Sequence, residues 1–153
     1  MSDITQSIKD FKHKIKIKVR FSDLDAMRHV NNATYLTYLE EARIAYYKDV
    51  LDLHKKDLDF GAVVAKIEIS YIQPLVLGEE IEVLTRTFKL GRKSSDIENL
   101  IVVERKGEKI IAAQAFTKLV SYDYKALKSI ETPVDIQNRI KEFEGIQSLL
   151  RII

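Results

Sequence analysis

Residues 20–43 read RFSDLDAMRHVNNATYLTYLEEAR, and the rest of the chain is organised around this stretch. Phe21 closes a run of alternating polar and apolar residues, which is typical of a half-buried strand. A polar loop follows, with the carboxylates of Asp23 and Asp25 and the imidazole of His29. Side chains of these types are the ones that act as acids and bases in enzymes.

A long helix is predicted directly after this loop. Asn31 and Asn32 are expected to open it, because an Asn side-chain oxygen accepts a first-turn N–H group, and the helix should end near Leu51. The free N–H donors and the positive dipole end of a helix N-terminus favour developing negative charge. A base such as Asp25 beside those donors is the arrangement that acyl transfer to water requires.

The predicted helix is apolar around most of its circumference. On a helical wheel its polar side chains fall in one narrow arc, which is formed by Thr34, Thr37, Glu41 and Lys48. Such a helix is expected to be enclosed by other elements. Glu40 and Arg43 lie off this arc and three residues apart, within reach of each other. Either they form a structural ion pair, or Glu40 acts near a reaction centre.

Length and composition predict one compact domain. The chain has 153 residues, a net charge of +2, 46% hydrophobic residues and 31% charged residues, as an ordinary globular domain does. Acidic and basic residues are interspersed, which argues against a nucleic-acid partner. With no cysteine and three scattered histidines, we expect neither a metal nor another cofactor. Neither a membrane-spanning apolar run nor a signal peptide is evident, so we expect a cytoplasmic location and no membrane partner.

The remaining chain predicts further strands and a second helix. The first strand, residues 13–21, alternates lysines with apolar residues, and its lysines are typical of an exposed sheet edge. Later strands are predicted over residues 61–71, 80–90, 96–105 and 109–122, and a C-terminal helix over residues 133–151. Short connections, including the turn at Lys106-Gly107-Glu108, join the last three strands into an antiparallel meander.

This order of elements predicts an α+β domain, with helices segregated to one face of an antiparallel sheet. The first helix is apolar enough to be gripped by a curved sheet. We find no repeat or linker that separates a second domain, so residues 1–153 are expected to form one domain. Residues 1–12 are expected to be a loosely packed N-terminal extension.

Three segments resemble one known family. The string from Phe21 to Arg43 is accompanied by ISYIQPLVLGE at residues 69–79 and by LGRKSS at residues 90–95. These motifs are similar to those of the hotdog-fold thioesterases of the 4-hydroxybenzoyl-CoA thioesterase type, which hydrolyse acyl-CoA or acyl-carrier-protein thioesters. The resemblance spans roughly residues 13–122. It implies a hotdog fold, a curved antiparallel five-stranded sheet wrapped around a long central helix, here followed by a C-terminal helix.

The resemblance also implies roles for individual residues. Asp25 would be the catalytic carboxylate, either activating water or attacking the thioester, and the backbone N–H near Asn32 would polarise the carbonyl. His29 either carries a proton or holds the loop against the helix, Glu40 is a further catalytic candidate, and Asp23 is expected to be a structural hydrogen-bond acceptor. Expected substrate contacts are Asn31, Gly61, Ala62, Val63, Val64, Arg92, Lys93 and Ser94.

The implied assembly is a homodimer or homotetramer. Its active site would lie at the subunit interface, where the partner's strand of residues 61–66 lines the acyl pocket. Arg92 and Lys93 either bind the phosphates of coenzyme A or are simply solvated. Many family members carry Gly where Arg28 stands, and because Gly permits unusual dihedral angles, this departure leaves the path of the loop open.

Acyl-CoA is the expected substrate, with two alternatives. Acyl-carrier-protein thioesterases of the plant type have Asn at the position of Met27, so they fit less well. A hotdog protein that binds acyl-CoA without turnover is the second alternative. The His-Phe-Pro-like string typical of hotdog dehydratases is missing, and the twelve residues before the first strand are too few for the DNA-binding segment of acyl-CoA-dependent regulators.

Overall fold

A computed structural model describes residues 7–53 and 60–146. The elements in chain order are β1 (His13–Lys18), a 3-10 turn (Phe21–Asp23), α1 (Asn32–Leu51), β2 (Phe60–Tyr71), β3 (Glu80–Leu90), β4 (Ser94–Arg105), β5 (Glu108–Asp123), β6 (Lys128–Ser129) and α2 (Val134–Glu144). The strands follow the order β1-β3-β4-β5-β2, and the short β6 pairs with β5. The predicted antiparallel sheet with a long helix and a C-terminal helix is confirmed, and β6 is an addition to it.

β1 lies at one end of the sheet, as its lysines predicted. It pairs antiparallel with β3, from His13 opposite Thr85 to Lys18 opposite Glu80. Lys14 lies 2.9 Å from the carboxylate of Glu82 across the two strands. β1 ends three residues earlier than expected, because the chain turns at Phe21–Asp23 into a 3-10 turn.

Helix α1 begins at Asn32, as the sequence predicted from Asn31 and Asn32. Asn31 is the N-cap, since its side-chain Oδ1 accepts the Ala33 N–H at 2.8 Å and its carbonyl accepts the Thr34 N–H at 2.9 Å. The helix ends at Leu51, and the next residue, Asp52, adopts a left-handed φ of 54°. A residue in that conformation cannot continue a right-handed helix.

The described residues group into two compact units. The first contains the chain up to Ala45, together with Ile69–Thr85 and Asn99–Ala115. Its core joins Tyr38, Leu39 and Ala42 of α1 to buried apolar residues of the strands, among them Ile81, Val83, Ile101, Val103 and Ala113. A second cluster packs Ile8 and Phe11 against Leu84, Leu100 and Val102. Residues 8 and 11 are therefore packed, whereas the sequence predicted a loose extension.

The second unit contains Tyr46–Glu68, Arg86–Glu98 and the chain from Phe116 onward. Its core joins residues of α1 to α2 and is formed by Tyr46, Val50, Leu51, Leu90, Ile136 and Ile140. The sequence predicted α2 over residues 133–151, whereas the described helix covers Val134–Glu144. Pro133 precedes the helix as its N-cap, and Gly145 ends it in a left-handed conformation with φ 73°. Residues 147–153 lie outside the described ranges.

One face of α1 is exposed, although the sequence predicted that the helix would be enclosed. Ile44 is 58% exposed, and Leu36 and Glu40 also face solvent. Arg43 is buried, and its Nη1 has no hydrogen-bond partner in the described part of the chain. Within that same part, no ion pair joins Arg43 to Glu40, so the predicted structural ion pair is not formed.

Candidate active site

A cavity of about 330 Å³ opens beside the start of α1, and its walls belong entirely to the first unit. The loop after β1 contributes Asp25, Met27 and His29, the helix contributes Asn32 and Tyr35, and the end of β2 contributes residues 71–74. Three of the four predicted catalytic residues, Asp25, His29 and Asn32, thus line one space. The fourth, Glu40, is exposed on α1 and is not part of this lining.

The loop that carries Asp25 is closed by its own hydrogen bonds. The Asp25 N–H donates to the His29 carbonyl at 2.9 Å, and the Arg28 N–H donates to the Asp25 carbonyl at 3.0 Å. The side-chain Oδ1 of Asp25 accepts the Met27 N–H at 2.8 Å. Its Oδ2 accepts no hydrogen bond from residues 7–53 or 60–146. Asp25 therefore presents one uncommitted carboxylate oxygen from a backbone that is held in place.

Arg28 closes the same turn in a left-handed conformation, with φ 64°. Glycine adopts this conformation without steric cost, whereas other L-residues are strained by about 1–2 kcal/mol. The loop therefore reaches the left-handed conformation without the glycine that many family members carry at this position. Arg28 takes the left-handed backbone itself, and the loop closes between Asp25 and His29.

Asp23 is buried and has a structural role, as predicted. Its carboxylate accepts the Arg20 N–H at 2.9 Å, the Arg20 guanidinium at 3.0 Å and the Tyr38 hydroxyl at 2.7 Å. Burial by itself raises the pKa of Asp23, but these hydrogen bonds outweigh burial and hold the pKa below its usual range. The Asp23 carbonyl also accepts the Asn31 N–H at 2.9 Å, which ties the loop to the helix cap.

The first backbone amides of α1 differ in how they are used. Asn31 binds the Ala33 N–H through its side chain and the Thr34 N–H through its carbonyl. The Asn32 N–H donates to none of the described residues, and Asn32 lines the cavity. Asn31, which the sequence placed both at the helix start and among the substrate contacts, serves as the cap. A helix N-terminus with one free amide is suited to binding an oxyanion.

Two tyrosines that sequence analysis had not assigned to the site also line the cavity. The Tyr71 hydroxyl donates to the Asn32 carbonyl at 3.0 Å, and the Tyr35 hydroxyl donates to the Gln73 carbonyl at 3.3 Å. Their ring centroids lie 5.0 Å apart at an interplanar angle of 89°. Tyr71 belongs to the motif at residues 69–79, which was the signal that marked this segment.

A partly buried ion pair supports the part of the cavity wall that residues 71–74 form. Arg105 donates to both carboxylate oxygens of Glu79, each at 2.8 Å, and its Nη2 also donates to the Pro74 carbonyl at 2.6 Å. Hydrogen bonds from Arg105 hold the pKa of Glu79 below its usual range. Because Pro74 lines the cavity, this bidentate pair fixes part of the wall. No local sequence signal connected Arg105 to the site.

Comparison with known proteins identifies the family. Residues 19–140 match the sequence profile of the thioesterase-like superfamily. The chain belongs to this superfamily. It is 30% identical, over 83% of its length and 96% of the relative's, to the long-chain acyl-CoA thioesterase FadM of Escherichia coli strain K12.

Solved structures of other thioesterases share the fold. A Thermus thermophilus thioesterase, crystallised with coenzyme A and Zn, is 36% identical with a TM-score of 0.77 over 92% of this chain and 99% of that chain. YbaW, a probable thioesterase of Escherichia coli, is 28% identical with a TM-score of 0.70 over 84% of this chain and 96% of that chain. The predicted hotdog fold and the predicted thioester hydrolase are thereby confirmed.

The other expected substrate contacts of this thioesterase lie in the second unit. Residues 61–64 are part of β2, and a Cβ added at Gly61 would lie 2.5 Å from Cε2 of Tyr124, so the Tyr124 ring fills the space beside this glycine. Arg92 forms an ion pair with Glu131. The Lys93 carbonyl accepts the Ser121 N–H, and the Ser94 carbonyl accepts the Gly91 N–H, each at 2.8 Å. Arg92 thus already has an acidic partner.

Two kinds of feature are absent from the described residues. Within residues 7–53 and 60–146, no three His, Cys, Asp or Glu side chains are grouped closely enough to hold a metal ion. In the same ranges, no helix has both the length and the apolar character needed to cross a membrane.

Proposed function

We propose that this thioesterase hydrolyses acyl-CoA at the cavity beside the start of α1, with Asp25 as the reacting carboxylate and the Asn32 N–H as the oxyanion donor. One observation carries the proposal. The uncommitted oxygen of Asp25 and the unpaired N–H of Asn32 belong to residues that line the same cavity. Thioester hydrolysis needs a base or nucleophile and a donor that stabilises the oxyanion, acting on one carbonyl.

The reaction can follow either of two routes that use the same geometry. As a general base, Asp25 takes a proton from water while the water oxygen attacks the thioester carbonyl. As a nucleophile, Asp25 attacks that carbonyl itself and displaces the thiolate, which leaves a mixed anhydride that water then hydrolyses. In both routes the carbonyl oxygen becomes negative and is stabilised by the Asn32 N–H. The C–S bond then breaks, and the products are a carboxylic acid and the thiol.

His29 is proposed as the group that returns a proton to the leaving thiolate. It lines the same cavity as Asp25, and an imidazole has one nitrogen that can accept a proton and one that can donate it. Its carbonyl closes the loop by accepting the Asp25 N–H. A variant of His29 therefore tests the side chain while the backbone bond is retained.

An acyl-CoA substrate is supported by the relatives and by the walls of the cavity. FadM is a long-chain acyl-CoA thioesterase, and the Thermus protein was crystallised with coenzyme A. In this chain Met27 is 75% exposed, Ile72 is 52% exposed and Tyr71 is 45% exposed, and all three line the cavity. Exposed apolar side chains on a cavity wall favour an apolar acyl group.

The assembly proposed for this enzyme is a homodimer or a pair of such dimers. β2 lies at the end of the sheet opposite to β1, so its outer edge is free for pairing within the described strands. In that arrangement residues 61–64 of one subunit would line the acyl pocket of its partner. Lys93 and Ser94 remain proposed contacts for coenzyme A, whereas Arg92 would first have to leave Glu131.

The test is thiol release from a panel of acyl-CoAs by the parent, by Asp25→Asn and by the control Asp135→Asn. Asp135 is an exposed carboxylate of α2 in the second unit. We expect Asp25→Asn to lower kcat by at least about 100-fold, and the control to match the parent. Full activity in Asp25→Asn contradicts the role of this carboxylate.

The same panel distinguishes the alternatives. Release of thiol from acyl-carrier proteins but not from acyl-CoAs would replace the proposed substrate. Tight binding of acyl-CoA without thiol release would identify a binding protein.

A further inference from the structure

Two tyrosines join the start of α1 to the end of β2, and their hydrogen bonds run in opposite directions. Tyr71, the last residue of β2, donates to the Asn32 carbonyl in the first turn of the helix at 3.0 Å. Tyr35, one turn further along the helix, donates to the Gln73 carbonyl beyond the strand at 3.3 Å. The rings meet edge to face with centroids 5.0 Å apart, a favourable aromatic geometry.

The Tyr71 bond acts on the peptide next to the proposed oxyanion donor. The Asn32 carbonyl and the Ala33 N–H belong to one planar peptide group. Because the Ala33 N–H donates to Asn31 Oδ1 at 2.8 Å, this peptide is held at both edges. The preceding peptide carries the Asn32 N–H, and its carbonyl accepts the Thr34 N–H. Of these bonds, the one from Tyr71 comes from outside the helix and its cap.

We propose that Tyr71 is a positioning residue for thioester hydrolysis. Its hydroxyl anchors the first turn of α1 to the end of β2 and so restricts the movement of Asn32, whose N–H is the proposed oxyanion donor. The inference rests on the proposed function, because it assigns that N–H to the developing oxyanion. Tyr71 is 45% exposed, so its hydrogen bond contributes little to global stability. A displacement of about 1 Å at a reacting centre, by contrast, can cost about 100-fold in rate.

Tyr71→Phe tests the inference, with Tyr122→Phe as the control, because Tyr122 lies in β5 in the second unit and does not line the cavity. Both variants keep the aromatic ring and lose one hydroxyl, but only Tyr71 bonds to the Asn32 carbonyl. We expect Tyr71→Phe to lower kcat about tenfold, because the oxyanion exists only after the carbonyl is attacked. KM should change less than about twofold and Tm by less than about 2 °C, while Tyr122→Phe keeps kcat within about twofold. An unchanged kcat in Tyr71→Phe overturns the inference.

A second measurement does not depend on turnover. In ligand-free protein, NMR reports the carbonyl ¹³C shift of Asn32 and the hydrogen-exchange rate of the Ala33 amide. We expect Tyr71→Phe to move the shift and to speed the exchange severalfold, and Tyr122→Phe to leave both unchanged.

The two measurements separate the inference from the proposed function. If Tyr71→Phe leaves both NMR signals unchanged, the inference is overturned whether or not the parent is active. If the parent hydrolyses no acyl-CoA while the signals move, the proposed function fails and the anchoring by Tyr71 is supported.

Discussion

The Tyr38 hydroxyl donates a 2.7 Å hydrogen bond to the buried carboxylate of Asp23. This contact joins the second turn of α1 to the turn that precedes Asp25. Burial raises the pKa of Tyr38, and the hydrogen bond to the Asp23 carboxylate raises it further. The Arg20 guanidinium lies 3.0 Å from the Asp23 carboxylate, and its positive charge offsets the cost of burying that carboxylate. The loop of the candidate site is therefore anchored to the helix through a buried ionic contact.

Asp23→Asn is expected to destabilise the protein by about 2–3 kcal/mol, because it removes charge-assisted hydrogen bonds from a buried site. The folded pKa of Asp23 is lower than the unfolded one. Its stabilisation is therefore complete above the unfolded pKa of about 4, and is lost as pH falls through the folded pKa. Urea unfolding at pH 7 and at about pH 3 measures this.

As the pH falls from 7 to about 3, Asp23→Asn should lose less stability than the parent. Tyr38→Phe, which removes one of the hydrogen bonds and keeps the charge, should retain most of the parent's pH dependence. Equal pH dependence in Asp23→Asn and the parent would contradict the assignment.

Asn32→Pro removes the proposed oxyanion donor with little cost to the helix. Asn32 is the first residue of α1, a position where proline is favoured because its missing N–H is not needed by the helix. We expect kcat to fall by about 100-fold, as for other oxyanion donors. Asn32→Ala keeps the backbone N–H and should keep kcat within about threefold. Circular dichroism checks that both are folded, and comparable kcat values in the two variants would eliminate this donor.

Arg28→Gly and Arg28→Val test the left-handed turn beside Asp25. Glycine relieves the strain at φ 64° but adds freedom to the unfolded chain. The two effects offset, so we expect a change below about 1 kcal/mol. Valine is branched at Cβ and poorly tolerated at positive φ, so it should destabilise by about 1–2 kcal/mol. Urea titration compares them, and a valine variant as stable as the glycine variant would argue against the left-handed turn.

Arg105→Lys is expected to loosen the cavity wall at Pro74. Lysine cannot bind both oxygens of Glu79 and the Pro74 carbonyl with one planar group, as Arg105 does. We expect KM for acyl-CoA to rise about threefold or more, with a smaller change in kcat. Lys16→Met, which removes an exposed pair with Glu80 at 3.8 Å, is the control and should change neither. A KM equal to the parent's would show that the wall does not depend on Arg105.

Much of the fold could be predicted from local pattern. The strand predicted over residues 80–90 matches β3 to the residue, and the N-cap at Asn31 correctly predicted the start of α1. Lys106 and Gly107 both have positive φ, 53° and 76°, as a tight hairpin turn requires. Each of these features depends on residues that are neighbours in sequence.

The end of α2 differs from the prediction that was based on the spacing of apolar residues. Apolar spacing continues through Ile146, so the sequence predicted a helix to residue 151. Gly145 instead adopts φ 73° and ends the helix, and the Ile146 N–H returns to the Lys141 carbonyl at 3.0 Å. Glycine after a helical run is a stop signal in itself.

The sequence by itself determined the elements, the family motifs and the short stretch that contains Asp25, His29 and Asn32, because loop closure and helix capping are local interactions. The tertiary structure decided what surrounds that stretch. Tyr71 reaches the carbonyl of Asn32 across 39 residues, and Arg105 reaches Glu79 across 26. Such contacts depend on strand register and on how a helix packs against a distant strand, which no local spacing encodes.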